Sequence, residues 1–206
     1  MASMSTADIK IGVLGIQGAY EKHVRAVLSS GAQAEIIKYR EQLDELDGLI
    51  LPGGESTTMT KVMGYRIDYG DILEFAKQKP VFGTCAGLIL LGKGIEDPRI
   101  KQFRLLDVTV TRNAYGSQKD SFVDNIKLSF DPEIPFHAVF IRAPQIEKTG
   151  KGVKVLAICD GSPVMVESGL YLGASFHPEL TADLRIHQYF VNKTKEVKYG
   201  RQITSS

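Results

Sequence analysis

The sequence predicts an α/β protein of three layers, a mostly parallel central sheet flanked by helices, with additional short strands in the second half. Three observations predict it. Apolar, strand-like runs alternate with amphipathic helical segments through the first half, the order that builds a parallel sheet covered on both faces. Beyond residue 104 the runs become short, often alternate, and are separated by turn residues such as Asp-Pro, Thr-Gly-Lys-Gly and Asp-Gly-Ser. The chain of 206 residues, 43% hydrophobic and 24% charged, is long enough for one sizeable core. At that size about 70% of the unfolded surface is buried on folding, so no disulfide staple is needed.

Taken in order, residues 9–16 are a short apolar run ending in Gln-Gly, a buried strand. Tyr20, Val24, Val27 and Leu28 then recur along one helical face, and Gly31 suits the position just past the helix end. Residues 34–39, 48–51 and 80–83 are the next strands; between the last two, residues 56–79 carry helical patterning with a break near Gly64 or Gly70. Residues 105–112, 122–130, 137–143, 153–159, 163–167 and 170–176 are short strands that extend the sheet or form a small second one. A final helix over residues 183–195 is N-capped by Thr181. This divides the chain into a disordered leader at residues 1–8, one domain at 9–195 and a polar tail at 196–206.

Composition excludes several functions. With 25 Lys and Arg against 24 Asp and Glu the net charge is +1, without the clustered cationic excess that nucleic acid requires. Two cysteines, Cys85 and Cys159, are too few for a disulfide framework and point to a reducing compartment. The longest strongly apolar stretch, residues 81–92, is too short to cross a bilayer, and the start lacks an apolar signal core. A cytoplasmic protein with neither a nucleic-acid nor a membrane partner is expected.

Three segments carry chemistry. Gly-Thr-Cys-Ala-Gly at 83–87 follows one strand and opens a helix. A nucleophile on such a turn is lifted clear of the sheet, and the helix N-terminus stabilises a thiolate. Taken alone, Cys85 reads first as a small buried hydrophobe. His-Pro-Glu at 177–179 ends another strand. Extended residues two apart point the same way, so Glu179 can orient His177 as a proton carrier for a thiol; a solvated surface turn is the alternative. His23 and His187 lie on helical segments and His137 starts a strand, and none is followed by an orienting acid. Leu-Pro-Gly-Gly-Glu-Ser-Thr-Thr at 51–58 is a glycine-rich turn opening a helix. Its backbone N–H groups can face an oxyanion, with the N–H of Ala86 as second donor. It lacks the Lys of a P-loop and the spacing of a dinucleotide site, so phosphate binding is the poorer reading.

Together these motifs resemble the class I, or triad, glutamine amidotransferases. With Arg-Asn-Ala-Tyr-Gly-Ser-Gln at 112–118, Phe-Ile-Arg-Ala-Pro at 140–144 and Ser-Phe-His-Pro-Glu-Leu-Thr at 175–181, the chain is similar, over residues 9–191, to the glutaminase subunits of pyridoxal 5'-phosphate synthases. The resemblance implies that Cys85 is the nucleophile, His177 its base and acid, and Glu179 the orienting carboxylate. It places the oxyanion hole at Gly54 and Ala86, and glutamine binding at Gly53, Gly54, Glu55, Ser56, Arg112, Ile141 and Arg142. A structural salt bridge is the competing role for Arg112 and Arg142. Gln17 matches a position of contact with the synthase. The implied activity is hydrolysis of L-glutamine to L-glutamate and ammonia through a Cys thioester. The ammonia passes to a partner synthase subunit that makes pyridoxal 5'-phosphate, and neither metal nor cofactor is needed. A stand-alone γ-glutamyl hydrolase and a catalytically silent binding module are the competing functions. The sequence departs from the family's pattern at Ser117, where a basic residue is usual, and in the shortness of residues 64–79.

Overall fold

The computed structural model describes residues 5–16, 18–112 and 121–204. Strands β1 (Lys10–Leu14), β2 (Gln33–Ile37), β3 (Gly48–Leu51) and β4 (Val81–Thr84) are mutually parallel and join three later strands, β9 (Lys154–Cys159), β10 (Ser162–Ser168) and β11 (Tyr171–Ala174). The resulting seven-stranded sheet runs β2-β1-β3-β4-β11-β10-β9. Parallel pairing continues from β4 to β11, and β10 is antiparallel to both its neighbours. The other strands stand apart as two antiparallel pairs: β5 (Val108–Thr111) with β8 (Gln145–Thr149), and β6 (Ser121–Leu128) with β7 (Asp131–Ile141). β8 is a strand that the sequence pattern does not reveal, because it begins directly after Pro144 and buries little beyond Ile146.

Alternation along the strands sorts the core into two layers. Ile11, Val13, Ile50 and Phe82 face one way, against α1 (Tyr20–Ser29), α5 (Arg185–Thr204) and the β6–β7 pair. Leu14, Leu49, Leu51 and Val81 face the other, against α2 (Ser56–Arg66), α3 (Tyr69–Ala76), α4 (Ala86–Leu91) and the β5–β8 pair. The period of two in a strand thus gives each face its own apolar layer.

Element ends follow local chemistry. Gly31 takes φ +82° just after α1, a left-handed C-terminal position where a side chain is strained. The α2–α3 break falls at Ile67 and Asp68, not at either glycine. Ile67 is extended, Asp68 accepts a 2.6 Å hydrogen bond from the Tyr69 N–H, and Asp71 accepts one of 2.9 Å from the Asp68 N–H. At α5 the cap moves inward from Thr181. Its hydroxyl accepts from the Asp183 N–H at 3.2 Å, and Asp183 accepts from the N–H of Arg185, the first helical residue, at 3.1 Å. The helix then runs on past Lys195 to Thr204, through residues expected to form a polar tail. Lys198 ties that last stretch to the body, donating to the Asp47 carboxylate and to the Asp8 carbonyl, each at 2.8 Å. Thr6–Asp8, within the expected leader, form a 3-10 turn. Among the described residues no helix is long and apolar enough to cross a membrane.

Candidate functional site

Cys85 sits between β4 and α4 with φ +49°, ψ −104°, a conformation that costs a non-glycine residue about 1–3 kcal/mol. Its surroundings hold it there: the Cys85 N–H donates to the Ala174 carbonyl of β11 at 2.8 Å, and its own carbonyl accepts from the Ile89 N–H at 3.2 Å. The flanking glycines let the turn close. A Cβ on Gly87 would lie 2.0 Å from the Leu51 carbonyl oxygen, and one on Gly83 would lie 2.5 Å from the Gly87 backbone. The start of α4 therefore packs directly on β3 and β4, and the residue between the glycines is pushed off the sheet's edge. Ala86, the first residue of α4, has an N–H without an intrahelical acceptor.

His177 arrives from β11, next door. Its N–H donates to the Val139 carbonyl of β7 at 2.9 Å. Its Nδ1 lies 2.7 Å from Glu179 Oε1, and both residues are buried, at 9% and 5% exposure. Burial works against charge on the imidazole, but the hydrogen bonds with Cys85 and Glu179 outweigh it and push the pKa of His177 up to about 10. Burial likewise opposes charge on Glu179, and the facing His23 and His177 imidazoles bring its pKa below the ordinary carboxylate value. The other carboxylate oxygen, Oε2, lies 3.3 Å from His23 Nε2.

Cys85 and His177 open on a cleft of about 410 Å³ that Gly53, Gly54, Glu55, Ser56, Arg112, Ile141 and Arg142 also line. This volume lies within the roughly 300–1,000 Å³ of small-molecule sites. The β3–α2 turn comes up against the imidazole: a Cβ on Gly53 would stand 2.4 Å from His177 Cε1. Gly54 has φ +154°, open only to glycine, and Arg142 is left-handed at φ +41°. Cys85 Sγ is 3.9 Å from the Ile141 carbonyl oxygen.

Glu55 also has a structural task. As N-cap of α2 it accepts from the Thr57 and Thr58 N–H groups at 3.1 and 2.7 Å. Partial burial opposes its charge, but these bonds and those from the two threonine hydroxyls bring its pKa down to about 2. Arg112 spans the rim, 3.4 Å from Glu55 and 3.3 Å from Asp97, so the salt-bridge role expected as an alternative is present, in a residue that also faces the cleft.

Gly18, Ala19 and Ile89 line the cleft, although the sequence motifs do not single them out. Ile89 stands one helical turn after Cys85, a spacing that could have signalled it. Gln17 lies outside the described residues, as do positions 113–118 of the motif that begins at Arg112. One grouping among the described residues, Asp124, Cys159 and Asp160, brings thiol and carboxylate atoms within 4.8 Å of one another. None of the three lines the cleft, and the Cys159 thiol donates to Asp124 at 3.1 Å.

The class follows from fold comparison. The structure matches a solved glutamine amidotransferase with a TM-score of 0.83 and 38% identity, over 89% of this chain and 98% of that one. The chain belongs to the SNO glutamine amidotransferase family, whose model matches residues 13–196. It is 50% identical over 190 residues to the pyridoxal 5'-phosphate synthase subunit PdxT of Oenococcus oeni, covering 92% of this chain and 99% of the relative. To the subunit of the same name from Geobacillus kaustophilus it is 50% identical over 203 residues, covering 95% of this chain and all of the relative (100%).

Proposed function

We propose that this chain is the glutaminase subunit of a pyridoxal 5'-phosphate synthase and hydrolyses L-glutamine to L-glutamate and ammonia at Cys85. The observation that carries the reading is one cleft bearing a cysteine on a strand-to-helix elbow and a histidine 2.7 Å from a buried carboxylate. The Cys85 thiolate attacks the side-chain amide carbon of glutamine. The N–H groups of Gly54 and Ala86 receive the oxyanion. The His177 imidazolium gives its proton to the departing nitrogen, ammonia leaves, and a thioester remains on Cys85. His177, now neutral, takes a proton from water as the water oxygen attacks the thioester carbon; the thiolate departs and glutamate is released. Glu179 balances the positive charge that His177 carries before the first of these steps and regains in the second. The Arg112 and Arg142 side chains and the backbone from Gly53 to Ser56 hold the α-amino acid end of the substrate.

The ammonia passes to the synthase subunit, and catalysis is coupled to docking. Gly53 and Gly54 form the hinge of that coupling. A Cβ on Gly18 would sit 1.9 Å from the Gly53 carbonyl oxygen, so the turn at Gly18 bears directly on this peptide. A synthase that contacts the turn displaces the peptide and directs its N–H to the oxyanion site. The two cysteines, Cys85 and Cys159, neither in a disulfide, fit a reducing, cytoplasmic setting.

Glutamate release measured with and without the cognate synthase tests the proposal. Activity that rises on adding the synthase, and vanishes in Cys85→Ala although the variant still binds it, is the expected result. Full activity of the isolated chain would refute the coupling, and turnover by Cys85→Ala would refute the nucleophile.

A further inference from the structure

Behind Glu179, two more histidines are buried where the glutaminase steps do not use them. His23 on α1 is 0% exposed and His187 on α5 is 1% exposed. They form a chain with the carboxylate: His23 Nε2 is 3.3 Å from Glu179 Oε2 and 3.2 Å from the Thr84 hydroxyl, and His23 Nδ1 is 3.0 Å from His187 Nε2. Two atoms of this group are left over. Glu179 Oε2 makes no aligned hydrogen bond, and His187 Nδ1 meets no polar partner.

These leftovers decide where the protons sit. A single proton lies between His23 Nδ1 and His187 Nε2. If His23 held it, His187 would have to carry its own proton on Nδ1, as a buried N–H with no acceptor, and His23 would turn a lone pair towards a carboxylate. If His187 Nε2 holds it, the orphan is only a lone pair, and the proton of His23 sits on Nε2, between Glu179 Oε2 and the Thr84 hydroxyl. The second arrangement avoids both penalties. Both rings are then neutral, in keeping with burial, which lowers the pKa of His23 and drives that of His187 down to about 3. Glu179 and His177 face His23 with opposing effects, the carboxylate favouring its charge and the imidazole disfavouring it.

We propose that His23, backed by His187, is a positioning residue for the Glu179–His177 pair: its Nε2–H is the donor held for Glu179 Oε2, and it keeps the carboxylate ionised and turned so that Oε1 meets His177. A neutral donor suits this task. It steadies the negative charge without cancelling it, leaving that charge free to balance the imidazolium on the other oxygen. Thr84 shares the proton and precedes Cys85 in the chain, so the same contact braces the elbow.

The inference rests on reading Cys85, His177 and Glu179 as the glutaminase machinery, and its test separates the two. In the assembled complex, His23→Leu is expected to lower kcat about 10–100-fold, the usual range for a partner that orients a functional imidazole. The KM for glutamine stays unchanged and the acid limb of the pH profile moves to higher pH. His23→Gln, whose amide N–H can reach the same oxygen, restores both. A His23→Leu complex with wild-type kcat and acid limb, or one in which only KM changes, would overturn the proposal. Nitrogen NMR on the 15N-histidine-labelled wild-type chain gives an answer that needs neither variant folding nor turnover. It should find His23 neutral with the proton on Nε2 at neutral pH, and a proton on Nδ1 or an imidazolium would overturn the proposal. A wild-type complex that releases no glutamate would refute the glutaminase reading, while the NMR spectrum would still decide where the His23 proton sits.

Discussion

The two walls of the cleft are built on different principles. Cys85 and His177, with Glu179 behind them, are 7%, 9% and 5% exposed and are fixed by backbone hydrogen bonds to β11 and β7. Across the cleft, the Arg112 and Glu55 side chains are 31% and 43% exposed and meet at 3.4 Å. Water screens the second pair but hardly reaches the first. An exposed pair is worth about 0–1 kcal/mol, little enough for Arg112 to exchange Glu55 for a substrate carboxylate. A buried imidazole–carboxylate contact is felt at low dielectric and governs the proton that the chemistry moves. On the proposed function, the reacting groups occupy the buried wall and the groups that would grip the substrate occupy the exposed one.

Substitutions on each wall should separate these roles. The largest effect is expected from Glu179→Gln, which keeps the shape and removes the charge. Steady-state assays of the assembled complex should show kcat down by about a hundred- to ten-thousand-fold with KM little changed. Gly53→Ala comes next. Its new methyl meets His177 Cε1, the ring must shift, and a displacement of that kind costs about a hundredfold in kcat. Arg112→Ala on the open wall should instead raise the KM for glutamine roughly tenfold or more, the loss of one charge-assisted hydrogen bond, with kcat nearly intact. A fall in kcat at constant KM would place Arg112 with the reacting groups and erase the contrast.

The smallest effect is on stability. His187 titrates near 6.5 when unfolded and at about 3 when folded, so the folded state binds fewer protons between those values. Its contribution is complete above about pH 6.5 and is lost as pH falls towards 3, by up to about 1.4 kcal/mol per pH unit. His187→Phe removes this loss but leaves His23 Nδ1 without a donor, which costs about 1–3 kcal/mol at neutral pH. Chemical denaturation should therefore show the wild type ahead at pH 7.5 and the gap closing towards pH 5. A gap that widens on acidification would mean that His187 is charged in the folded protein.

The contrast between the walls also sets what the sequence can reveal. The elbow is legible because its requirements are local: Gly83 and Gly87 lie within two residues of Cys85. Parallel strands read clearly for the same reason, as in β3, where the expected bounds and the observed ones agree. His177 and Glu179 are likewise close, two residues apart, but a 3-10 turn at Pro178–Leu180, not the expected extended run, brings them together. The α2–α3 break is expected near Gly64 or Gly70 because glycine is the usual breaker; it falls between them, where a capping Asp at position 68 makes it. Neither His23 nor His187 is followed closely in the sequence by an acid to mark it. Their acid comes from another element, and the two rings that touch are 164 residues apart in the chain. No local pattern encodes such a contact; only the packing of α1 and α5 on the same face of the sheet brings it about.

The central claim is that glutamine is attacked by Cys85 and no other group. Incubating the assembled complex with an electrophilic glutamine analogue and mapping the product by mass spectrometry tests it most directly. One adduct is expected, on the peptide bearing Cys85, and glutamine should slow its formation by competition. An adduct on Cys159 instead, or glutamine turnover that continues with Cys85 fully modified, would contradict it.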